Sequence, residues 1–198
     1  MAITFANNSS LANITALPAS ITGGGLTLVS SQTASSSASL EFSMDSTYDS
    51  YVFKFINIHA QTDNAEFLVN FRDGGSLYDA TKTTTYIKTR HTESDSLASI
   101  VYDDGNDLAQ STSSQILIEN VGADNDQALS GSLILYNPSS TTFVKHFITD
   151  INSSSGDNAS DRIQVAGYCN VTAAIDGVQF SFSTGNIDDG IIKMYGVA

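Results

Sequence analysis

Three histidines and one cysteine are the residues best suited to nucleophilic or metal chemistry in this chain. A hydrolase of the α/β class would place its serine in a G-x-S-x-G turn, and the sequence has no such motif. His59, His91 and His146 share no spacing typical of a zinc site. His59 and His146 fall in strand-like stretches, where a histidine on a sheet face is expected. Cys169 has no basic neighbour in the sequence, which predicts a small buried residue rather than a reactive thiol.

Two acidic pairs, Asp103 with Asp104 and Asp188 with Asp189, are the other candidates for chemistry. A glycosidase needs two carboxyl groups held roughly 5–10 Å apart, which spacing along the chain does not establish, and the chain has no Trp platform for a sugar. A polysaccharide depolymerase is therefore the weakest interpretation. The stretch 103–107 groups oxygen ligands around a glycine, as Ca²⁺ prefers, but a solvated turn is favoured. We predict no catalytic residue, no cofactor and no metal ligand.

The charge balance excludes several classes of partner. Eight Lys and Arg stand against 21 Asp and Glu, for a net charge of -13. This field repels nucleic acid and anionic membranes, and no basic cluster counters it. The first residues lack the charged start and apolar run of a secretory signal, and no stretch has the roughly 18 apolar residues of a membrane span. We therefore expect no nucleic-acid or membrane partner and synthesis in the cytoplasm.

Alternating apolar and polar residues, separated by turns rich in Gly, Asn and Asp, predict an all-β domain over residues 26–198. The predicted strands cover residues 38–44, 51–59, 67–72, 84–90, 97–102, 115–119, 129–136, 143–149, 163–173, 178–183 and 191–197. Strands at this spacing favour a two-sheet β-sandwich of jelly-roll type, with a closed barrel as the alternative. Only residues 106–111 and 161–164 have a composition that would allow a helical turn.

Residues 1–25 differ from the rest and are predicted to form an extended N-terminal arm. This stretch has no charged residue, and three successive glycines, Gly23 to Gly25, close it in a way that favours a hinge. A frayed terminus is one interpretation, and an arm that docks on another subunit is the other. The apolar residues that would make such contacts are Ile3, Phe5, Leu11, Ile14, Leu17 and Ile21.

Basic and aromatic residues in the strands suggest surface roles. Basic side chains on strand faces or edges commonly keep a sheet soluble, and this is the favoured interpretation here. Ion pairs across an interface are the alternative. The basic residues in predicted strands are Lys54, Lys88, Arg90, Lys145 and Lys193. Exposed tyrosines would supply contacts to a receptor, although ordinary sheet packing is favoured for the candidates Tyr78, Tyr86, Tyr102 and Tyr136.

Several stretches resemble small structural proteins encoded by tailed bacteriophages, many of them from marine or aquatic hosts. They span nearly the whole chain, with one mild departure at Ala60, where members of this group often carry Pro. The most specific stretch is the end of the chain, residues 178–196. The others are residues 46–59, 79–85, 107–112 and 137–143.

The resemblance implies a protein of the virion surface: head decoration or cement, head fibre, or tail-fibre tip. It implies no individual catalytic or ligand-binding residue. Three functions are compared on this basis. A non-catalytic virion structural protein is favoured, acting as a homo-oligomer, most simply a trimer, that contacts the major capsid protein or a fibre protein. A receptor- or glycan-binding module of a tail fibre is the alternative, and a depolymerase is the weaker one.

Overall fold

The computed structural model describes residues 25–198, and these residues form twelve β-strands and no helix. No membrane-crossing helix is therefore found among them. The strands are β1 (Thr27–Thr33), β2 (Leu40–Ser43), β3 (Ser50–Ala60), β4 (Ala65–Arg72), β5 (Lys82–Thr92), β6 (Ala98–Tyr102), β7 (Gln115–Val121), β8 (Leu129–Tyr136), β9 (Lys145–Ser155), β10 (Ala159–Cys169), β11 (Gly177–Phe182) and β12 (Ile187–Val197). The predicted all-β class is confirmed.

All twelve strands belong to one sheet that is nearly closed into a barrel. The predicted jelly-roll sandwich is not confirmed, because a continuous path of hydrogen-bonded neighbours links the strands. This path has a wide arc, in the order β1-β12-β3-β8-β9-β10-β5-β6, and a narrow arc, in the order β7-β4-β11-β2. Every pairing is antiparallel. The two arcs face each other across the core.

The arcs join at two seams. At one seam β7 meets β9 through the pair Val121 and Ser155. At the other, the chain between β1 and β2 turns from the edge of β12 to the edge of β11, held by the bridge between Ser37 and Ile187. These connections nearly close the sheet. The outer edges of β1, β2 and β6 have no strand partner among the described residues.

Phenylalanines from both arcs form the centre of the core. Phe180 of β11 lies 5.4 Å from Phe53 and 5.1 Å from Phe55, measured between ring centroids, and 5.8 Å from Phe67. The first two residues belong to the wide arc and Phe67 to the narrow one, so that this cluster binds the two arcs together. Edge-to-face aromatic pairs add stability beyond the area they bury.

A paired irregularity in β3 and β12 changes the side-chain phase along β3. Asn57 has a φ of 48° and Gly190 has a φ of +117°. A Cβ at Gly190 would lie 2.6 Å from the carbonyl oxygen of Asn57, so only glycine fits this approach. The extra residue leaves Ile56 exposed and turns Ile58 into the core.

Two local predictions are wrong. Residues 161–164 lie within β10 and residues 106–111 form an irregular loop, so neither contains a helical turn. β1 was not among the predicted strands, because its residues are mostly exposed on both faces and show no alternation. The arm residues Ile3, Phe5, Leu11, Ile14, Leu17 and Ile21 lie outside the described residues.

Candidate interaction surface

The three histidines lie on different strands and are not brought together. His59 makes a 2.7 Å hydrogen bond through Nδ1 to the carbonyl oxygen of Gln127, and exposed His91 lies 3.0 Å from a carboxylate oxygen of Asp95. His146 is exposed on the outside of β9. Within residues 25–198, no group of three or more His, Cys, Asp or Glu side chains is arranged to hold a metal ion.

The first predicted acidic pair lies in a turn, whereas the second lies within β12, so the turn predicted there is wrong. Asp103 accepts hydrogen bonds from the backbone N–H of Gly105 at 3.0 Å and from the amide of Asn106 at 3.1 Å. At the other pair, Asp188 accepts one from the hydroxyl of Ser36 at 2.7 Å, and Asp189 accepts one from the N–H of Gly190 at 2.7 Å. These carboxylates are therefore engaged with their own loops and neighbours.

Cys169 is fully buried, as predicted, and lies between two buried lysines. It pairs with Lys82 of β5 on one side and Lys145 of β9 on the other. The ammonium of Lys82 donates to Oδ1 of Asn70 at 2.5 Å and to the carbonyl of Ala80 at 2.8 Å. Burial lowers the pKa of Lys82 to about 8 and raises the pKa of the Cys169 thiol to about 12.

The second lysine shows that the predicted solubility role is wrong for part of the basic set. Lys145 is fully buried, and burial lowers its pKa. Its ammonium donates to three backbone carbonyls, those of Ser140, Phe143 and Val171, at 3.1, 3.3 and 2.8 Å. The side chain therefore ties the loop before β9 to the segment after β10. Lys54, by contrast, is exposed as expected.

A group of charged residues surrounds the buried carboxylate of Asp161, where β5 and β10 pair near β7. Lys88 lies 2.6 Å from Glu119, and Arg90 lies 2.8 Å from Asp157. Both cations also lie near the buried carboxylate of Asp161, at 3.7 and 3.6 Å. Neither oxygen of Asp161 has a hydrogen-bond partner, and burial raises its pKa above the ordinary value. Lys88 and Arg90 thus compensate interior charge, and a surface role for them is also wrong.

The outer face of the wide arc carries an unbroken apolar row. In β9, buried residues alternate with exposed ones, so that Ile148 points away from the barrel interior. Cross-strand pairs then place one side chain from each of six neighbouring strands side by side, over about 24 Å. We call this set the outer row; its members in order are Leu28, Tyr195, Val52, Ile134, Ile148 and Ala166.

Solvent reaches the outer row mainly at its two ends. Leu28 is 53% exposed and Ile148 is 48% exposed, and Ala166 is also exposed. Val52 in the middle is nearly buried between its neighbours, and Tyr195 and Ile134 are half-buried. A stripe of this length without a charge is unusual on the solvent face of an antiparallel sheet. It has the character of a contact surface.

Aromatic residues border the outer row on one side. Tyr168 pairs with His146, their ring centroids 5.9 Å apart. Tyr136 on β8 follows Leu135, which pairs with Phe147, and so continues the same register. A groove of about 390 Å³ runs between this aromatic set and the outer row, lined by Ile148, Ala166 and Tyr168 together with threonines of β5.

The edge strand β6 is the most exposed apolar element. Its partner is β5, and its other edge faces solvent in the described part of the chain. Ile100 is 78% exposed, and its neighbours Leu97, Val101 and Tyr102 are exposed as well. Natural edge strands usually carry charges, prolines or bulges that block pairing with another chain, and β6 has no charged residue and no proline. β6 therefore presents an unprotected pairing edge.

The four candidate tyrosines differ in exposure. Tyr102 and Tyr136 are exposed, whereas Tyr86 is fully buried, which agrees with the favoured interpretation of ordinary sheet packing for this residue. Tyr78 is half-buried; its hydroxyl donates to Glu41 at 3.2 Å, and the guanidinium of Arg72 lies 5.4 Å from its ring centroid.

The outer row and the β6 edge were not predicted. The available signal is the 51–59 segment, whose apolar residues on both faces predict a strand that is buried on both sides. No protein-family model and no curated protein matches this chain.

Proposed function

We propose that this chain is a non-catalytic structural protein of a bacteriophage virion, located on the particle surface as capsid decoration, cement or head fibre. Two lines support the proposal: the resemblance of residues 46–59 and 178–196 to phage structural proteins, and the apolar surfaces that the barrel exposes. The single observation that carries it is the unprotected edge of β6, with Ile100 78% exposed. In a monomer such an edge promotes aggregation, whereas in an assembly it can pair with a strand of another chain.

The two free edges of the wide arc support a ring of copies. β6 ends the arc on one side and β1 on the other, and both are unpaired along their outer edges within residues 25–198. Pairing β6 of one copy with β1 of the next is a heterologous contact, which closes into a ring when the rotation fits. A trimer is the simplest such ring, and the major capsid protein or a fibre protein is the further partner.

The copy number in purified virions tests the proposal. Quantitative peptide mass spectrometry would compare this protein with the major capsid protein. A count similar to that of the capsid protein supports decoration or cement, and a far lower count supports a fibre. Absence from gradient-purified, nuclease-treated particles would refute the virion role altogether.

A receptor- or glycan-binding module of a tail fibre is the second candidate. The groove bordered by His146 and Tyr168 favours it, because aromatic side chains beside polar threonines suit stacking and hydrogen bonding to a sugar. Binding of purified protein to host cells would be compared for the native chain and Tyr168→Ala, with Phe143→Ala, an exposed aromatic residue outside the groove lining, as the control. Loss of binding only in Tyr168→Ala supports this candidate, and no binding by the native chain refutes it.

A further inference from the structure

We propose that residues 1–24 of one chain dock on the outer row of a neighbouring copy. The inference deepens the proposed function, on which its setting in an assembly rests, by naming the segment and the surface that join the copies. Four observations carry it: the uncovered ends of the outer row, the charge of the segment, the direction in which the chain leaves β1, and the reach of the segment.

Charge favours this segment over any other part of a neighbouring chain. The whole protein carries a net charge of -13, so two folded copies repel each other. No charged residue precedes Glu41, and the segment has apolar residues spaced along it. It is therefore a part of the chain that can approach the uncharged outer row without adding repulsion. Covering Ile148 and Leu28 would remove apolar area from water at about 25 cal/mol per Å².

The direction of the chain favours a neighbouring copy over the same copy. Traced backwards, β1 passes Leu28 opposite Tyr195 and then Thr27 opposite Gly196, close to the end of β12. β1 therefore crosses the outer row at Leu28 instead of running along it, and its first residues lie at the rim of the barrel. If β1 pairs with β6 of the next copy, the segment starts about 14 Å, three strand spacings, from that copy's Ala166.

Length permits the contact. The outer row spans about 24 Å over its six strands, and 24 residues reach at most about 80 Å when extended. The segment can therefore cover the row and still include the turn that Gly23, Gly24 and Gly25 allow.

A thiol-accessibility experiment on the full chain tests the inference. Ile148→Cys and Ala166→Cys each place a reporter thiol in the outer row, and Ser43→Cys places a control thiol on the exposed face of β2 in the narrow arc. Native Cys169 is buried, so we expect no reaction of its thiol with the reagent in the folded protein. Each reporter is combined with either the native segment or one carrying Leu11→Ser, Ile14→Ser and Leu17→Ser. The rate of modification by a maleimide is measured at several protein concentrations.

We expect both outer-row thiols to react at least about tenfold more slowly in chains with the native segment than in chains with the substituted segment. A site that is open for about a tenth of the time reacts more slowly by this factor. The Ser43→Cys rate should not depend on the segment. The protection should fade on dilution, together with the oligomer seen by sedimentation. Equal rates with native and substituted segments would overturn the inference. Protection that persists in the dilute monomer would also overturn it, because the segment would then cover its own barrel. Because the assay needs only purified protein, its failure is separate from a failed virion copy-number test.

Discussion

Burial of Lys82 makes a quantitative prediction about stability and pH. Its ammonium is fully enclosed, and its pKa is lowered from 10.5 to about 8, mainly by desolvation. Because the folded state gives up this proton before the unfolded state does, the unfolded chain binds more protons between pH 8 and 10.5. The free energy of unfolding should therefore rise with pH across this window as far as Lys82 is concerned.

The size of the effect follows from the two pKa values. Below pH 8 the buried charge costs about 3 kcal/mol, since each pKa unit corresponds to about 1.4 kcal/mol. Between pH 7 and pH 9 the recovered part is about 1 kcal/mol. Cys169 acts in the opposite direction, because its pKa is raised from 9.0 to about 12. At pH 9 it offsets a minor part of this gain.

Urea unfolding at pH 7, 8 and 9 of the native protein and of Lys82→Met isolates the lysine contribution. The native protein should gain about 1 kcal/mol relative to Lys82→Met between pH 7 and 9, whatever the absolute stability of the variant. Lys54→Met on the exposed part of β3 serves as the control, and it should leave the native pH dependence unchanged. Parallel curves for the native protein and Lys82→Met would refute the burial of a charged lysine at this site.

The remaining predictions concern the core, the thiol and the β6 edge. Phe180→Ala should lower the free energy of unfolding, measured in urea titrations, by about 3–5 kcal/mol, because the ring of Phe180 contacts both arcs. A loss below about 1 kcal/mol would show that the phenylalanine cluster does not join the two arcs. Cys169 should react with a thiol reagent only as fast as the protein unfolds, and rapid modification of the native protein would contradict its burial. Ile100→Asp should abolish self-association in sedimentation velocity, whereas Ser113→Asp, on an exposed loop, should leave the oligomer intact. An unchanged oligomer in Ile100→Asp would exclude β6 from the interface.

The alternation of side chains predicted most of the strands but not their arrangement. Tyr51, Phe53 and Phe55 share one face of β3, and all three are buried as their spacing indicates. Which strands become neighbours depends on pairs far apart in the sequence, such as Val121 with Ser155, and no local pattern encodes them. The closed barrel is therefore predicted only as the alternative to the sandwich, and the structure shows a nearly closed sheet.

Buried charge was the main failure of the sequence reasoning about individual residues. Lys145 and Asp161 are fully buried, although most charged residues in sheets face solvent. Their burial depends on partners that tertiary structure supplies: three carbonyls for Lys145, and Lys88 with Arg90 for Asp161. A period of two shows that residues share a face, but it does not show what lies opposite that face.

The same limit applies to residues 51–59, whose two apolar faces predict a strand buried on both sides. An antiparallel strand that is apolar on both faces indicates contact on both faces, and Val52 and Ile56 made β3 such a strand. The barrel interior accounts for one face only, with Phe53 and Phe55, while Ile56 is exposed. The apolar pattern of β3 therefore indicates contact on both faces, but it does not show what supplies the contact on the outer face. If a second chain supplies the missing contact, as the inferred docking of residues 1–24 requires, the core of this protein is completed only in the assembly.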